Sequence, residues 1–153
     1  MLQGVRVIEL ATVIAAPTCA ALLCDMGAEV IKVEPPGGDH SRGIGRHFAG
    51  DESYAFMTLN RSKRSVVLDL KKEGAKDVLE ELVREADILV ENVRPGAMER
   101  MGLGYEDLKK INPGIVYCSI TGFGQTGPYK DRAGYDFMIQ GMGGIMSVTG
   151  EAD

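Results

Sequence analysis

Residues 75–92 read AKDVLEELVREADILVEN, and this stretch decides the fold class. Ala75, Val78, Leu79, Leu82, Val83 and Ala86 recur at the i, i+3, i+4, i+7 spacing of a single helix face. Lys76, Asp77, Glu80, Glu81, Arg84 and Glu85 fall between them and supply a polar face. Asp87 to Asn92 then forms a short apolar run that predicts a strand. A helix with one apolar stripe, leading straight into a strand, must lay that stripe on a sheet.

The same alternation continues on both sides. Toward the N-terminus, Val5, Val7, Ile8 and Leu10 predict a first strand, residues 16–27 a helix rich in Ala, Leu and Cys, and Glu29 to Val33 a second strand. Pro35-Pro36-Gly37-Gly38 is a turn signal that closes this strand. Residues 37–58 have no clear period and predict a long functional loop or a small excursion. Ser65 to Leu70 is the third predicted strand. Toward the C-terminus, short helices are expected near 96–101 and 105–111, then a stop at Asn112-Pro113-Gly114 and a fifth strand from Ile115 to Ile120. A last helical stretch runs from Gly134 toward Met146, weakened by Gly141, Gly143 and Gly144. The expected class is α/β, a mostly parallel sheet with flanking helices and right-handed crossovers. Ligands of such sheets bind outside the carboxyl ends of the strands. That rule puts Ala11–Pro17, Glu34–Gly38, Lys71-Lys72, Asn92–Gly96 and Thr121–Gly127 on one rim.

Composition narrows the function classes. The 44% hydrophobic and 25% charged fractions are those of an ordinary globular chain, and 153 residues leave room for one domain. No apolar run reaches the roughly 18 residues of a membrane span. MLQGVRVIEL reads as a strand rather than a leader, so a cytoplasmic protein is expected. Cys19, Cys24 and Cys118, with His40 and His47, lack metal-ligand spacing, and reduced thiols with no metal site are the expectation. The net charge of −5 argues against nucleic-acid binding. Arg42, Arg46, Arg61, Lys63, Arg64, Lys71 and Lys72 nevertheless crowd together. They fit a small polyanionic ligand or a solvated charged surface.

Gly122-Phe-Gly-Gln-Thr-Gly127 matches GxGxxG after a strand, yet Pro128-Tyr129-Lys130-Asp131 makes a turn where a dinucleotide fingerprint needs a helix. These glycines are expected to bring backbone close to a ligand or to a neighbouring segment. The sequence contains no Walker A motif and no GxSxG elbow.

GVRVIELATVIAAPTCAALLCDMGAEVIKVEPPGGD resembles the N-terminal signature of the family III CoA-transferases, also known as the L-carnitine dehydratase and bile-acid-inducible protein F family. NRSKRSVVLDLKKEG, ADILVENVRPGAMERMGLGYEDL, NPGIVYCSITGFGQTGPY and AGYDFMIQGMGGIMSVTG are similar to that family in the same order. The resemblance implies a Rossmann-like fold and an incomplete large domain. Residues 1–153 would be its N-terminal part, without the small domain or the C-terminal return segment, and intact members form interlocked homodimers. CoA or acyl-CoA would be the substrate, with no tightly bound cofactor. Carried over by position, the CoA contacts would be Val13, Leu68, Lys71, Asn92, Arg94, Arg100, Met101 and Tyr135. Arginine can grip phosphate oxygens in bidentate fashion, and lysine offers a compact charge. Leu68 and Met101 could line an apolar wall. Some members carry an adenine-stacking arginine where this chain has Pro35, and Arg42 or Arg46 is the expected substitute.

In these transferases an aspartate attacks the acyl-CoA thioester, giving a mixed anhydride and then an enzyme-bound CoA thioester. CoA passes from there to an acceptor carboxylic acid. The resemblance places that aspartate beyond Gly150, and Asp153 does not match it. No catalytic residue is therefore expected here, and the chain alone should be inactive. Asp136 is the one acidic candidate, expected to orient or pack. Two other readings remain. Related acyl-CoA racemases use a histidine where Tyr135 stands, and tyrosine titrates near 10, against about 6.5 for histidine. A non-catalytic nucleotide- or CoA-binding module is the third. No nucleic-acid or membrane partner is expected, and the donor acyl group and acceptor acid cannot be read from these residues.

Overall fold

The structure, a computed structural model, describes residues 1–151 and divides into two units, residues 1–120 and the residues from Thr121 onward. Asp153 lies outside the described residues. The first unit holds a five-stranded parallel sheet of β1 (Arg6–Leu10), β2 (Glu29–Glu34), β5 (Arg64–Val67), β6 (Ile88–Glu91) and β7 (Val116–Ser119). Its order is β5-β2-β1-β6-β7. The chain steps from β1 outward to β2 and β5, then returns across β1 to β6, so the order reverses between β1 and β6. This is the doubly wound arrangement expected of a Rossmann-like sheet.

Period-two alternation divides the core between the two faces. Val7, Val30 and Val90 pack with Ala11, Ala16, Ala20 and Ala28 beneath α1 (Ala15–Asp25). Small alanines let that helix lie close to the strands. Ile8, Leu10, Val33 and Leu89 point the other way, in one core with Leu79 and Val83 of α3 (Ala75–Arg84), Met98 of α4 (Ala97–Arg100) and Leu108 of α5 (Tyr105–Ile111). The stripe read in residues 75–86 is thus the face that covers the sheet.

Residues 37–58 are an excursion with its own structure. It contains a 3-10 turn (His40–Gly43), a small hairpin of β3 (Phe48–Ala49) and β4 (Glu52–Ser53), and much of α2 (Tyr54–Asn60). Ser53 caps α2 by accepting from the Phe56 amide at 3.1 Å. The third core strand ends earlier than expected, at Val67. Leu68 still donates to Glu34 O, but the Asp69 carboxylate takes the Lys71 amide and turns the chain.

In the second unit α6 spans Asp136–Met142, and a 3-10 turn covers Ile145–Val148. The helix predicted from 134 toward 146 is broken by Gly144, whose φ of 80° is left-handed. Gly122 and Gly134 meet backbone to backbone: a Cβ on Gly122 would lie 2.3 Å from Gly134 Cα. Gly122 of the GxGxxG stretch is thus explained by close packing of neighbouring segments, whereas Gly124 and Gly127 hold left-handed backbone at φ 78° and 87°.

No helix among the described residues is long and apolar enough to cross a membrane.

Candidate functional site

The strand order reverses between β1 and β6, and in doubly wound sheets ligands bind beyond the carboxyl ends of the strands at such a switch point. The loop leaving β1 is held there residue by residue. Lys32 Nζ donates to Ala11 O at 2.8 Å. Asn92, just past β6, clasps Thr12 through both amide atoms: Thr12 N donates to Oδ1 at 3.0 Å, and Nδ2 donates to Thr12 O at 2.8 Å. Val13 N donates to Asp39 Oδ1 at 3.2 Å. Val13 itself has φ 69°, a left-handed conformation that a β-branched side chain resists at a cost of about 1–3 kcal/mol. Strain of this kind collects at ligand clamps.

A buried ionic network lies beneath the loop. Glu9 and Lys32 are cross-strand neighbours, and Lys32 Nζ sits 2.7 Å from Glu9 Oε1 and 2.8 Å from Asp39 Oδ2. Lys63 Nζ reaches the other Glu9 oxygen at 2.7 Å, and burial pulls its pKa down against that pairing. A second cluster joins Glu34, Arg42 and Glu52. Arg42 donates to both Glu34 oxygens, at 2.9 and 2.7 Å, and to Glu52 at 2.6 Å. Burial alone would raise the Glu34 pKa, but Arg42, Ser65 and the Asp39 amide outweigh it and bring the carboxyl down to about 2.

These pairings correct the expected basic patch. Arg42 is paired with Glu34 and Glu52 and stacks on Phe56, whereas Arg46, the other arginine expected near adenine, forms no ion pair among the described residues. Lys63 is buried on Glu9, Arg61 pairs with Asp25, and Arg64 pairs with Glu29. Clustering in sequence concealed this, because the partners of Arg61, Lys63 and Arg64 come from distant elements and those of Arg42 from the flanking strand and hairpin. Arg94, Arg100, Lys71 and Lys72 form no ion pair among the described residues. Arg94 and Arg100 are exposed on the segment after β6, and the Arg100 guanidinium folds over Gly96.

Leu68 lines a shallow groove of about 420 Å³ with Pro36, Val67, Lys72, Gly74 and Val78. Lys72, not Lys71, reaches this groove. Met101 is half-buried against the core with α3 and α5. Leu68, Lys71, Asn92, Arg94 and Val13 therefore all follow carboxyl ends of strands. Tyr135 and Asp136 belong to the second unit. Tyr135 is 67% exposed and precedes α6, while Asp136 accepts from Gln140 one turn along the same helix.

Sequence reasoning missed Asp39 and Lys32. An aspartate at the end of a glycine turn looks like solvated loop chemistry, and a lone lysine within an apolar strand is the only hint of a buried partner.

The sequence matches CoA-transferase family III over residues 2–153. The chain belongs to this family. Among its relatives, the succinate–glutarate CoA-transferase of Agrobacterium fabrum is 51% identical, over 99% of this chain and 40% of its own length. The mouse succinyl-CoA:glutarate CoA-transferase is 48% identical, over 99% and 35% respectively. A crystal structure of a CAIB/BAIF family protein from Brucella suis superposes with a TM-score of 0.94 at 51% identity, over 99% of this chain and 41% of that one. The chain thus spans well under half the length of these family III proteins.

Proposed function

We propose that these residues are the coenzyme-handling part of an enzyme that moves CoA from an acyl-CoA thioester to a carboxylic acid. The observation that carries this reading is the pairing pattern of the cations. Those expected at CoA by position, Lys71, Arg94 and Arg100, have no carboxylate partner among the described residues, whereas Arg42, Arg61, Lys63 and Arg64 of the basic stretch do; Arg46 and Lys72 are unpaired as well. Unpaired cations beside a strand-end crevice suit the phosphates of CoA. Leu68 and the groove around it suit an apolar portion of the ligand, and Met101 offers a second apolar contact.

In this reading Val13, Asn92 and Tyr135 complete the coenzyme contacts. In this reading the nucleophilic aspartate is one that these 153 residues do not supply, and turnover belongs to the intact protein. Asp136 orients its own helix. The transferase reading is favoured over a racemase because Tyr135 stands where the racemases place a histidine, and tyrosine is a poor base at neutral pH. The intact protein would be a cytoplasmic, interlocked homodimer. Free thiols at Cys19, Cys24 and Cys118 suit a reducing compartment, and the exposed Phe137, Ile145 and Val148 suit a covering partner.

Calorimetric titration of the intact protein with CoA tests the binding, and Arg100→Ala should weaken it by about tenfold, the loss of one charge-assisted contact. Unchanged affinity would remove the phosphate assignment. Robust CoA transfer between acids by the chain alone would overturn the placement of the nucleophile. Solvent deuterium entering the α-carbon of an acyl-CoA without acid exchange would favour the racemase.

A further inference from the structure

We propose that Asp39 is a positioning residue for the coenzyme site, holding Val13 in the left-handed conformation in which the loop after β1 meets CoA. The inference rests on the CoA-binding reading above and adds to it a residue that never touches the ligand.

Asp39 is 2% exposed. It comes from the turn after β2, yet its carboxylate reaches across to the loop after β1. One oxygen, Oδ1, takes the Val13 amide at 3.2 Å, the Ser41 amide at 2.9 Å and the Ser41 hydroxyl at 2.8 Å. The other faces Lys32 Nζ at 2.8 Å. Its own amide donates to Glu34 Oε2 at 2.9 Å, which fixes the turn from which it reaches. Every feature of this side chain is anchored, and the one group it holds in a disfavoured backbone state is Val13. A valine at φ 69° relaxes toward extended backbone unless the surrounding structure forbids it.

Neighbouring grips exclude a looser explanation. Lys32 fixes Ala11 O, and Asn92 fixes Thr12 on both sides. With residues 11 and 12 already tethered to β2 and β6, the Val13 amide is the next backbone donor along the loop, two residues before α1, and Asp39 takes it. The chain thereby enters the crevice in one conformation before any ligand arrives, which spares the ordering cost that binding would otherwise meet.

The test compares CoA affinity by calorimetry and the Val13 amide resonance by NMR in the intact protein and its variants. Asp39→Ala should weaken CoA by about tenfold, or ~1.4 kcal/mol, and shift the Val13 amide. Leu79→Ala, a core change on the opposite face of the sheet, should lower the melting temperature while leaving both readouts in place. In a Val13→Gly background, where glycine reaches positive φ unaided, Asp39→Ala should cost less affinity than in the parent. Should Asp39→Ala not fold, Asp39→Asn keeps the side-chain volume and should show a smaller loss in the same direction. A folded Asp39→Ala with parental affinity overturns the proposal, as does an equal loss in the Val13→Gly background. The two readings fail differently. Absence of CoA binding by the intact parent protein would sink the coenzyme reading and the positioning role together. An unmoved Val13 amide in Asp39→Ala would sink only the role of Asp39.

Discussion

At the residue scale, the first unit is governed by charges inside the protein. Lys32 is fully buried against two carboxylates. Removing one partner of such a set strands the others without water, so Lys32→Met should destabilise the chain by about 3–5 kcal/mol in chemical denaturation. Glu91 has the opposite balance. Burial raises its pKa, and the hydrogen bonds from Ser119 and the Val93 amide only partly oppose this. Its ionisation therefore costs stability above its folded pKa, and the cost vanishes below its unfolded one. Glu91→Gln should raise the melting temperature at neutral pH and lose that advantage in acid. Asn92→Ala removes both bonds to Thr12 and should lower stability by about 1–3 kcal/mol, read from the denaturation midpoint. Little of this was legible in the sequence. Asn92 and Arg100 stand out by their place after a strand. The role of Asp39 arises only when the turn after β2 folds back on the loop after β1.

At the element scale, pattern and structure agree where one face of an element dictates its period. The stripe of residues 75–86 had to cover a sheet, and Leu79 and Val83 are fully buried there. Agreement fails where side-chain hydrogen bonds decide the backbone. Asp69 ends β5 early, and Ser53 starts α2 inside a stretch without period. Such bonds compete with regular structure locally and leave no hydrophobic signature. Gly122 illustrates a third case. A dinucleotide fingerprint and a packing contact use the same residue for the same lack of a Cβ. Gly122→Ala would place a methyl group against the Gly134 backbone, and the segments must separate to admit it. Limited proteolysis should then cut within the second unit sooner than in the parent, with the first unit intact.

At the scale of the whole molecule, acid should be the effective denaturant. The Glu34 carboxyl is drawn from an ordinary 4.5 to about 2, and that of Asp39 is also lowered, since Lys32 and Ser41 outweigh its burial. A depressed folded pKa gives stability that is complete above the unfolded value and disappears as pH falls through the folded one. Melting temperature should hold above pH 4.5 and fall steeply as pH approaches 2, and Glu34→Gln should flatten that fall. The clasp between Thr12 and Asn92 joins residues 80 positions apart. A ribosome delivers chains from the N-terminus, so β1, β2 and β5 can pair well before Asn92 is made. Until then one flank of the central strand is bare, and the coenzyme loop has nothing to close against. The nascent protein must pass through an interval with half a sheet and an unfinished crevice, and this is when a chaperone would find most to hold.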